Sequence, residues 1–485
     1  MTARPIITAA ITILLLSSGC HRSRDNQPVA VSVIGGAPGL ADSNRGELPP
    51  ADSVLIAATM QGLVRFDAAG QIEPGLSIRW AISDDGLFYT FRLDRIEGID
   101  AELVARRLRA KISHKSKNPL KPLLGAIREI VAVTPEVVEI RLNAPRSNLL
   151  DLLAQPEMAI LGAHGGTGPL KPGSSEGGML VLAPAPEVDG DGEPVAQDPR
   201  RKVRLRGERS ALAVARYAAG NTDLVLGGRY ADIPILRAAA IRPRDVRLDP
   251  VSGLFGVAFN RRSGFLGAAE NRRALAMAID RARLIGAFGV PEWKEATAIV
   301  PSGTQELSQP IEPGWGNADL AVRRQAASGA VRLWRSNNPG QPPQLRMAMP
   351  DTPGARLLFA YLRADWMTIG VDVVHVGEHA EADLSLIDAV APSQSATWYL
   401  RRFSCDRYAV CSQAADVALE SARTALDPVE RAARIAEADL RLTEIVPFIP
   451  IAQPLRWSLV AQRVTGFQAN IRGVHPLNHL LDSQN

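Results

Sequence analysis

Cysteine is scarce in this chain: of three copies in 485 residues, only Cys405 and Cys411 lie beyond position 20. A disulfide-stapled mini-scaffold is thereby excluded, because such folds depend on several cross-links in a short chain. Histidine is also sparse, with seven scattered copies, and no serine stands in a Gly-x-Ser-x-Gly setting. No nucleophile and base constellation follows from spacing, and the chain is not expected to be an enzyme. Beyond the segment Ile6 to Leu16 no apolar run approaches membrane-spanning length. An excess of one charge is missing too: 55 basic against 51 acidic residues leave a formal +4, with no basic stripe interleaved with aromatics. That pattern argues against nucleic-acid binding.

The cluster Gly165-Gly166-Thr167-Gly168-Pro169 lacks the Lys-Ser/Thr ending of a phosphate loop and the spacing of a dinucleotide fingerprint, so it reads as a turn or hinge. His375 and His379, with Glu378 and Glu381, have some metal-ligand flavour, but they sit on an alternating strand that ends in a glycine turn. This is not the helix on which two histidines four apart would share a face one turn apart. Pro476 likewise separates His475 from His479. No metal and no cofactor is expected.

What is present begins with an amino-terminal basic residue, Arg4, an apolar stretch and Ser17-Ser18-Gly19-Cys20. The stretch is too short to span a bilayer and reads as a signal peptide over residues 1–19. Small residues before a cysteine resemble the lipobox of bacterial lipoproteins, although the usual Leu three residues upstream is Ser17 here. This resemblance implies acylation of Cys20 and a lipid-anchored protein on the periplasmic or cell-surface side of a membrane. The competing reading is an ordinary secretory peptide with Cys20 incidental. In an exported protein, Cys405 and Cys411 read as a disulfide closing a small loop; a metal site is the alternative and would need two more soft ligands.

Along the remainder, strands and helices are mixed. Val29 to Ile34, Phe88 to Leu93 and Val137 to Leu142 alternate as half-buried strands, with Asp84-Asp85-Gly86 as a turn. Asp100 caps a helix through Ser113, and Asp427-Pro428-Val429-Glu430 combines an N-cap, a proline at the first helical position and an acid three residues after the cap. Further helices are predicted near 53–60, over 270–281 and over 355–369, with strands at Gly253 to Asn260 and Val371 to Val376. Pro184 to Arg201 is a polar loop.

Four stretches then resemble the bacterial extracellular solute-binding proteins of family 5, the oligopeptide, dipeptide and nickel receptors. They are Gln61-Gly62-Leu63-Val64-Arg65-Phe66-Asp67 with Glu73 to Leu76 and Ser83 to Gly86; Gly166 to Pro169; Ala258-Phe259-Asn260 with Arg273 to Leu275 and Ala278 to Arg281; and Val464 to Phe467 with His475-Pro476-Leu477. The resemblance implies an α/β fold, a two-lobed clamshell of the type II, cluster C kind, with a small domain inserted in the first lobe. It maps the first lobe to 20–61, 165–259 and 464–485, the insert to 62–164 and the second lobe to 260–463. The implied hinge strands lie near Val257 to Asn260 and Val460 to Gly466.

The function so implied is the substrate-binding component of an ABC importer. It would capture a peptide or peptide-like solute between the lobes and deliver it, as a lipid-anchored monomer, to permease and ATPase subunits. A clamshell lipoprotein without transport, acting as sensor, chaperone or scaffold, is the alternative. Peptide-binding members carry an acid in an Ala-Asp-Tyr-Pro-Asp-Pro-like stretch that grips the ligand's amino group. At that position this chain has Pro392, within Asp388 to Leu400. Asp388 is either a displaced anchor or a surface acid at a strand end. Trp398 offers an apolar wall, Tyr399 a second aromatic, and Arg401 or its neighbour Arg402 a partner for a carboxylate.

Overall fold

The computed structural model describes residues 26–160, 166–186, 195, 198–307 and 309–481. The expected signal peptide and Cys20 lie outside the described residues, as do much of the Pro184 to Arg201 loop and the first glycine of the 165–169 cluster.

Two sheets organise the chain. The first has seven strands in the spatial order Val246–Leu248, Arg456–Val460, Leu224–Arg229, Val29–Ile34, Val203–Glu208, Met179–Pro184 and Leu170–Glu176. Val29–Ile34 runs parallel to both of its neighbours, as crossover helices require. Val29 to Val33 are all buried, Ala30 and Ser32 included, so this central strand is covered on both faces and not half-buried as its alternation suggests. Helix Pro50–Thr59 packs beside this sheet, and its carboxyl end receives the glycine cluster: Gly168 N donates to the Thr59 carbonyl at 2.8 Å. A side chain at Gly168 would collide with the backbone of residues 58–60. The cluster is a close-packed turn.

The second sheet has five strands in the order Asp372–Gly377, Gln344–Met349, Leu384–Val390, Gly253–Phe259 and Phe448–Ala452. Gly253–Phe259 is buried at every position, which is why it reads as a continuous apolar run. Helices Ala269–Ala278, Leu320–Asn337, Pro353–Thr368 and Pro428–Ile445 surround it. The predicted helix over 270–281 breaks after Ala278, and Asp280 caps a new one, Arg281–Gly286, by accepting from Arg283 N at 3.0 Å.

Sheet membership corrects the expected lobe boundaries. Gly253–Phe259, assigned to the first lobe, pairs with Leu384–Val390 and Phe448–Ala452 of the second. Arg456–Val460, assigned to the second lobe, pairs with Leu224–Arg229 and Val246–Leu248 of the first. The chain therefore crosses between sheets at 249–252 and 453–455, a few residues before each expected hinge strand. A single apolar cluster runs across this junction, including Val225 and Trp457 on one side and Phe255 and Val257 on the other. Tyr230 packs edge-on against Phe255 at 4.8 Å between ring centroids.

Between the first two segments of the seven-stranded sheet lies a separate unit. Strands Ser77–Ile82, Phe88–Leu93, Val137–Leu142 and Ile127–Thr134 form an antiparallel sheet backed by helix Ala101–Ile112. Asp100 caps that helix, accepting from Leu103 N at 2.7 Å. The unit has its own apolar core, drawn from Leu63 through Ile160, and a bridge between Gln61 and Ile160 closes its neck. Among the described residues no helix is long and apolar enough to cross a membrane.

Candidate functional site

Where the two sheets and the inserted unit meet, they border a cleft of about 410 Å³ that is partly open to solvent. The first lobe supplies helix residues Ser53 and Ala57 and the strand end Leu226-Gly227, with Arg229 and Arg456. The insert contributes Pro119, Leu120, Gln155 and Glu157; the second lobe contributes Asp388 through Pro392, Trp398, Arg401, Arg402 and Arg407. Arg472 and His475 come from the carboxyl-terminal segment. A volume of this size lies within the range of small-molecule sites, which run from roughly 300 to 1,000 Å³.

Local structure aims these groups. In Leu224–Arg229 the register against Arg456–Val460 shifts between Val225 and Gly228, and Gly227 takes a φ of +83°. A bulge of this kind bends a strand and redirects the side chains that follow. Arg229 and Arg456, paired across the ladder just beyond the shift, both border the cavity. Trp457 lies against Gly228 and anchors the turn by donating from Nε1 to the Arg229 carbonyl at 3.0 Å.

Of the residues singled out in the sequence, Asp388, Trp398 and Arg401 reach the cavity, while Tyr399 does not. Tyr399 is 1% exposed and packs in the second lobe's core, edge-on to Trp398 at 4.8 Å. The short helix Ala396–Arg401 turns successive side chains to different faces, so only one of two adjacent aromatics can meet the cleft. Burial pushes the Tyr399 hydroxyl well above its ordinary range.

Asp388 is not a solvated acid. Its Oδ1 accepts from Arg456 Nη1 at 2.8 Å across the two lobes, and its side chain is only 10% exposed. The other oxygen, Oδ2, is shut off from solvent without a hydrogen-bond partner. Pro392 borders the same cavity, and its carbonyl accepts from Gln155 Nε2 of the insert at 2.8 Å. Pro392 is thus part of a contact between lobe and insert. Arg401 donates to the Leu419 carbonyl at 3.1 Å and faces Glu420 at 3.6 Å, and burial holds its guanidinium below the ordinary range. Glu157 is pushed up by burial, with Lys111 opposing the shift.

A second set of contacts ties the insert to the second lobe beside the cavity. Asn148 Nδ2 donates to Ser393 Oγ at 2.9 Å, and Arg423 Nη1 donates to the Gly125 carbonyl at 2.8 Å. Arg146 reaches the Arg423 carbonyl, and Arg431 reaches the Pro145 carbonyl at 3.2 Å while pairing with Glu306 at 2.5 Å. Cys405 and Cys411 are joined by a disulfide, which closes the loop carrying Arg407. His375 lies 3.2 Å from the Met349 carbonyl, His475 pairs with Asp249 at 3.1 Å and His479 with Glu73 at 3.1 Å. Among the described residues no group of three or more His, Cys, Asp or Glu is placed to hold a metal ion.

Arg402, the alternative to Arg401 as carboxylate partner, also borders the cavity, while Arg229, Arg407, Arg456 and Arg472 carry no site signal in the sequence. Arg456 and Arg472 fall in segments whose sequence signals hinge and closing motif, and only the fold brings them to the cavity.

Comparison with known proteins agrees with this architecture. Residues 71–386 match the model of the bacterial extracellular solute-binding proteins, family 5. A dipeptide-binding protein of Pseudomonas aeruginosa is 24% identical over 284 residues, which cover 53% of this chain and 51% of the relative. The chain thus aligns with about half the length of that curated relative. Among solved structures, Haemophilus influenzae OppA in complex with the peptide RPPGFSPFR superimposes with a TM-score of 0.78 at 16% identity, covering 93% of this chain and 98% of that one. The murein tripeptide binding protein MppA of Escherichia coli gives 0.77 at 19% identity, covering 95% and 99%. The unliganded open form of MppA gives only 0.65 over 93% and 97%. The two-lobed fold is shared, and the arrangement here departs from that open form.

Proposed function

From the premise that this chain belongs to the bacterial extracellular solute-binding proteins of family 5, we propose that it captures a peptide or peptide-like solute between its lobes and delivers it to the permease and ATPase of an ABC importer. The observation that carries this reading is the cleft itself, walled by both lobes and the insert and spanned by the Asp388–Arg456 pair. A solute touching all three walls favours the closed arrangement by its differential affinity for it. The strand end Asp388 to Val390, paired among the described residues with Gly253 to Phe255 on one side only, suits a ligand held as an added strand.

Further parts of the reading concern residues outside the described ones. Residues 1–19 direct export, Cys20 carries the lipid, and the protein works as a monomer tethered on the outer side of a membrane. Labelling with a palmitate probe tests the anchor: incorporation is expected in the native chain and lost in Cys20→Ala. For the site, the test is a thermal-unfolding screen of the purified protein against di- to pentapeptides, amino-acetylated peptides, sugars and divalent metals. A ligand that binds only the folded state stabilises it by about 2.7 kcal/mol at a hundredfold excess over its dissociation constant. A shift with a peptide class supports the reading, and shifts confined to sugars or metals would overturn the peptide assignment.

A further inference from the structure

The charged groups around the cavity do not balance among themselves. Six arginines border it, against the three carboxylates of Glu47, Glu157 and Asp388. Arg456 is matched by Asp388, Arg472 by Asp151 at 2.7 Å outside the cavity, Arg401 by the Leu419 carbonyl and Glu420, and Arg407 by Asp406 at 3.9 Å. Arg402 is left over. Among the described residues its side chain has no ion pair or hydrogen bond, and its Nε is shut off from solvent. It follows a helix whose neighbours Leu400 and Phe403 are buried, so the core fixes the backbone on both sides of it. On the first lobe's wall, Arg229 has no carboxylate in ion-pair range among the described residues.

A guanidinium cannot shed its proton in a protein, so Arg402 and Arg229 stay cationic whatever occupies the cavity. Its planar fork matches carboxylates in two-pronged geometry. Asp388 is committed to Arg456 through Oδ1, and its Oδ2 is sealed from solvent and so from a solute. Two arginines without a carboxylate partner among the described residues, Arg229 exposed and Arg402 half-buried, therefore border one cleft.

On the reading of this cavity as a solute site, we infer that its ligand is a small polycarboxylate, with carboxylates on Arg402 and Arg229. Acidic peptides and amino acids conjugated to a dicarboxylic acid both have this chemistry. A neutral peptide offers a single carboxylate and leaves one arginine unmatched.

The test is isothermal titration of the purified protein with triglutamate, N-succinylglutamate, trialanine and trilysine. At least one of the two polycarboxylates is expected to bind tenfold or more tighter than trialanine, and which one does so separates peptide from conjugate. Trilysine is expected to bind weakest. Raising sodium chloride from 0.05 to 0.5 M should weaken the polycarboxylate and leave trialanine nearly unchanged, because screening acts on the charge pairs. Arg402→Gln should weaken the polycarboxylate tenfold or more and trialanine, which can keep its one carboxylate on Arg229, by clearly less; Arg229→Gln is the second variant, should the first lose its fold. Trialanine binding as tightly as both polycarboxylates would overturn the inference and leave the peptide receptor standing. Equal losses for both ligand types in the variants would likewise overturn it. Silence with all four probes would count against the receptor reading and the inference together.

Discussion

The insert meets the second lobe along two adjoining surfaces that use arginine in opposite ways. In the tie beside the cavity, Arg146, Arg423 and Arg431 all end on backbone carbonyls, and Arg431 also holds Glu306. In the cavity, Arg402 and one oxygen of Asp388 end on nothing. Buried polar atoms are normally satisfied, and those that are not need an explanation of their own. The contrast separates arginines that hold the lobes together from arginines kept available for a solute.

The sharpest way to break that contrast is Arg431→Ala. Arg431 and Glu306 are 12% and 16% exposed, so the substitution leaves a largely buried carboxylate without its partner. Removing one member of a buried pair costs about 3 kcal/mol or more. Urea unfolding should show a loss of this order, while an unchanged midpoint would place Arg431 among the dispensable arginines.

Asp439 asks whether an unpaired buried atom always marks a ligand. Its Oδ1 has no partner, yet it lies on the buried face of helix Pro428–Ile445, not among the cavity residues. Burial pushes its carboxyl up to about 6 from an ordinary 3.8, against the opposing bond from Ile311 N. The folded state therefore holds a proton that the unfolded chain has released. Stability falls as pH rises across the window from about 4 to about 6 and levels off above it. Asp439→Asn should remove this component of the pH profile in urea titrations at several pH values, and should leave solute affinity untouched.

A smaller effect is expected from Asn148→Ala, which deletes the bond to Ser393 between insert and lobe. A net contribution of about 1 kcal/mol to the closed arrangement corresponds to roughly a fivefold loss of solute affinity, read by titration. Smallest is the effect of Arg402→Gln on folding: the unfolding midpoint should stay within about 0.5 kcal/mol of the native protein, because no structural partner is lost. A large destabilisation would move Arg402 into the same class as Arg431.

Much of this architecture is legible locally. Asp100 and Asp427 cap their helices as the spacing predicts, since capping depends on a few adjacent residues. Lobe membership is not local. Gly253–Phe259 and Arg456–Val460 are apolar enough to enter either sheet, and their partners lie far away in sequence. The same holds for the site. Trp398 and Tyr399 are adjacent and chemically alike, and only the phase of a short helix sends one to the cleft and the other to the core. Arg456 and Arg472 enter the site from segments that carry no binding signature. Asp388 reaches the cavity wall, but its pairing with Arg456 could not be read from either residue alone.

The most direct test of solute capture between the lobes fills the cavity from within. Ser53 is half-buried on helix Pro50–Thr59 and borders the cavity, so Ser53→Trp introduces bulk there without touching the hinge. The measurement is thermal unfolding of the native protein and of this variant, each with and without the tightest-binding probe at a hundredfold excess over its dissociation constant. The account predicts a rise of a few degrees in the native protein and none in the variant, whose unliganded midpoint stays close to native. An equal rise in both would put the binding site elsewhere and contradict the account.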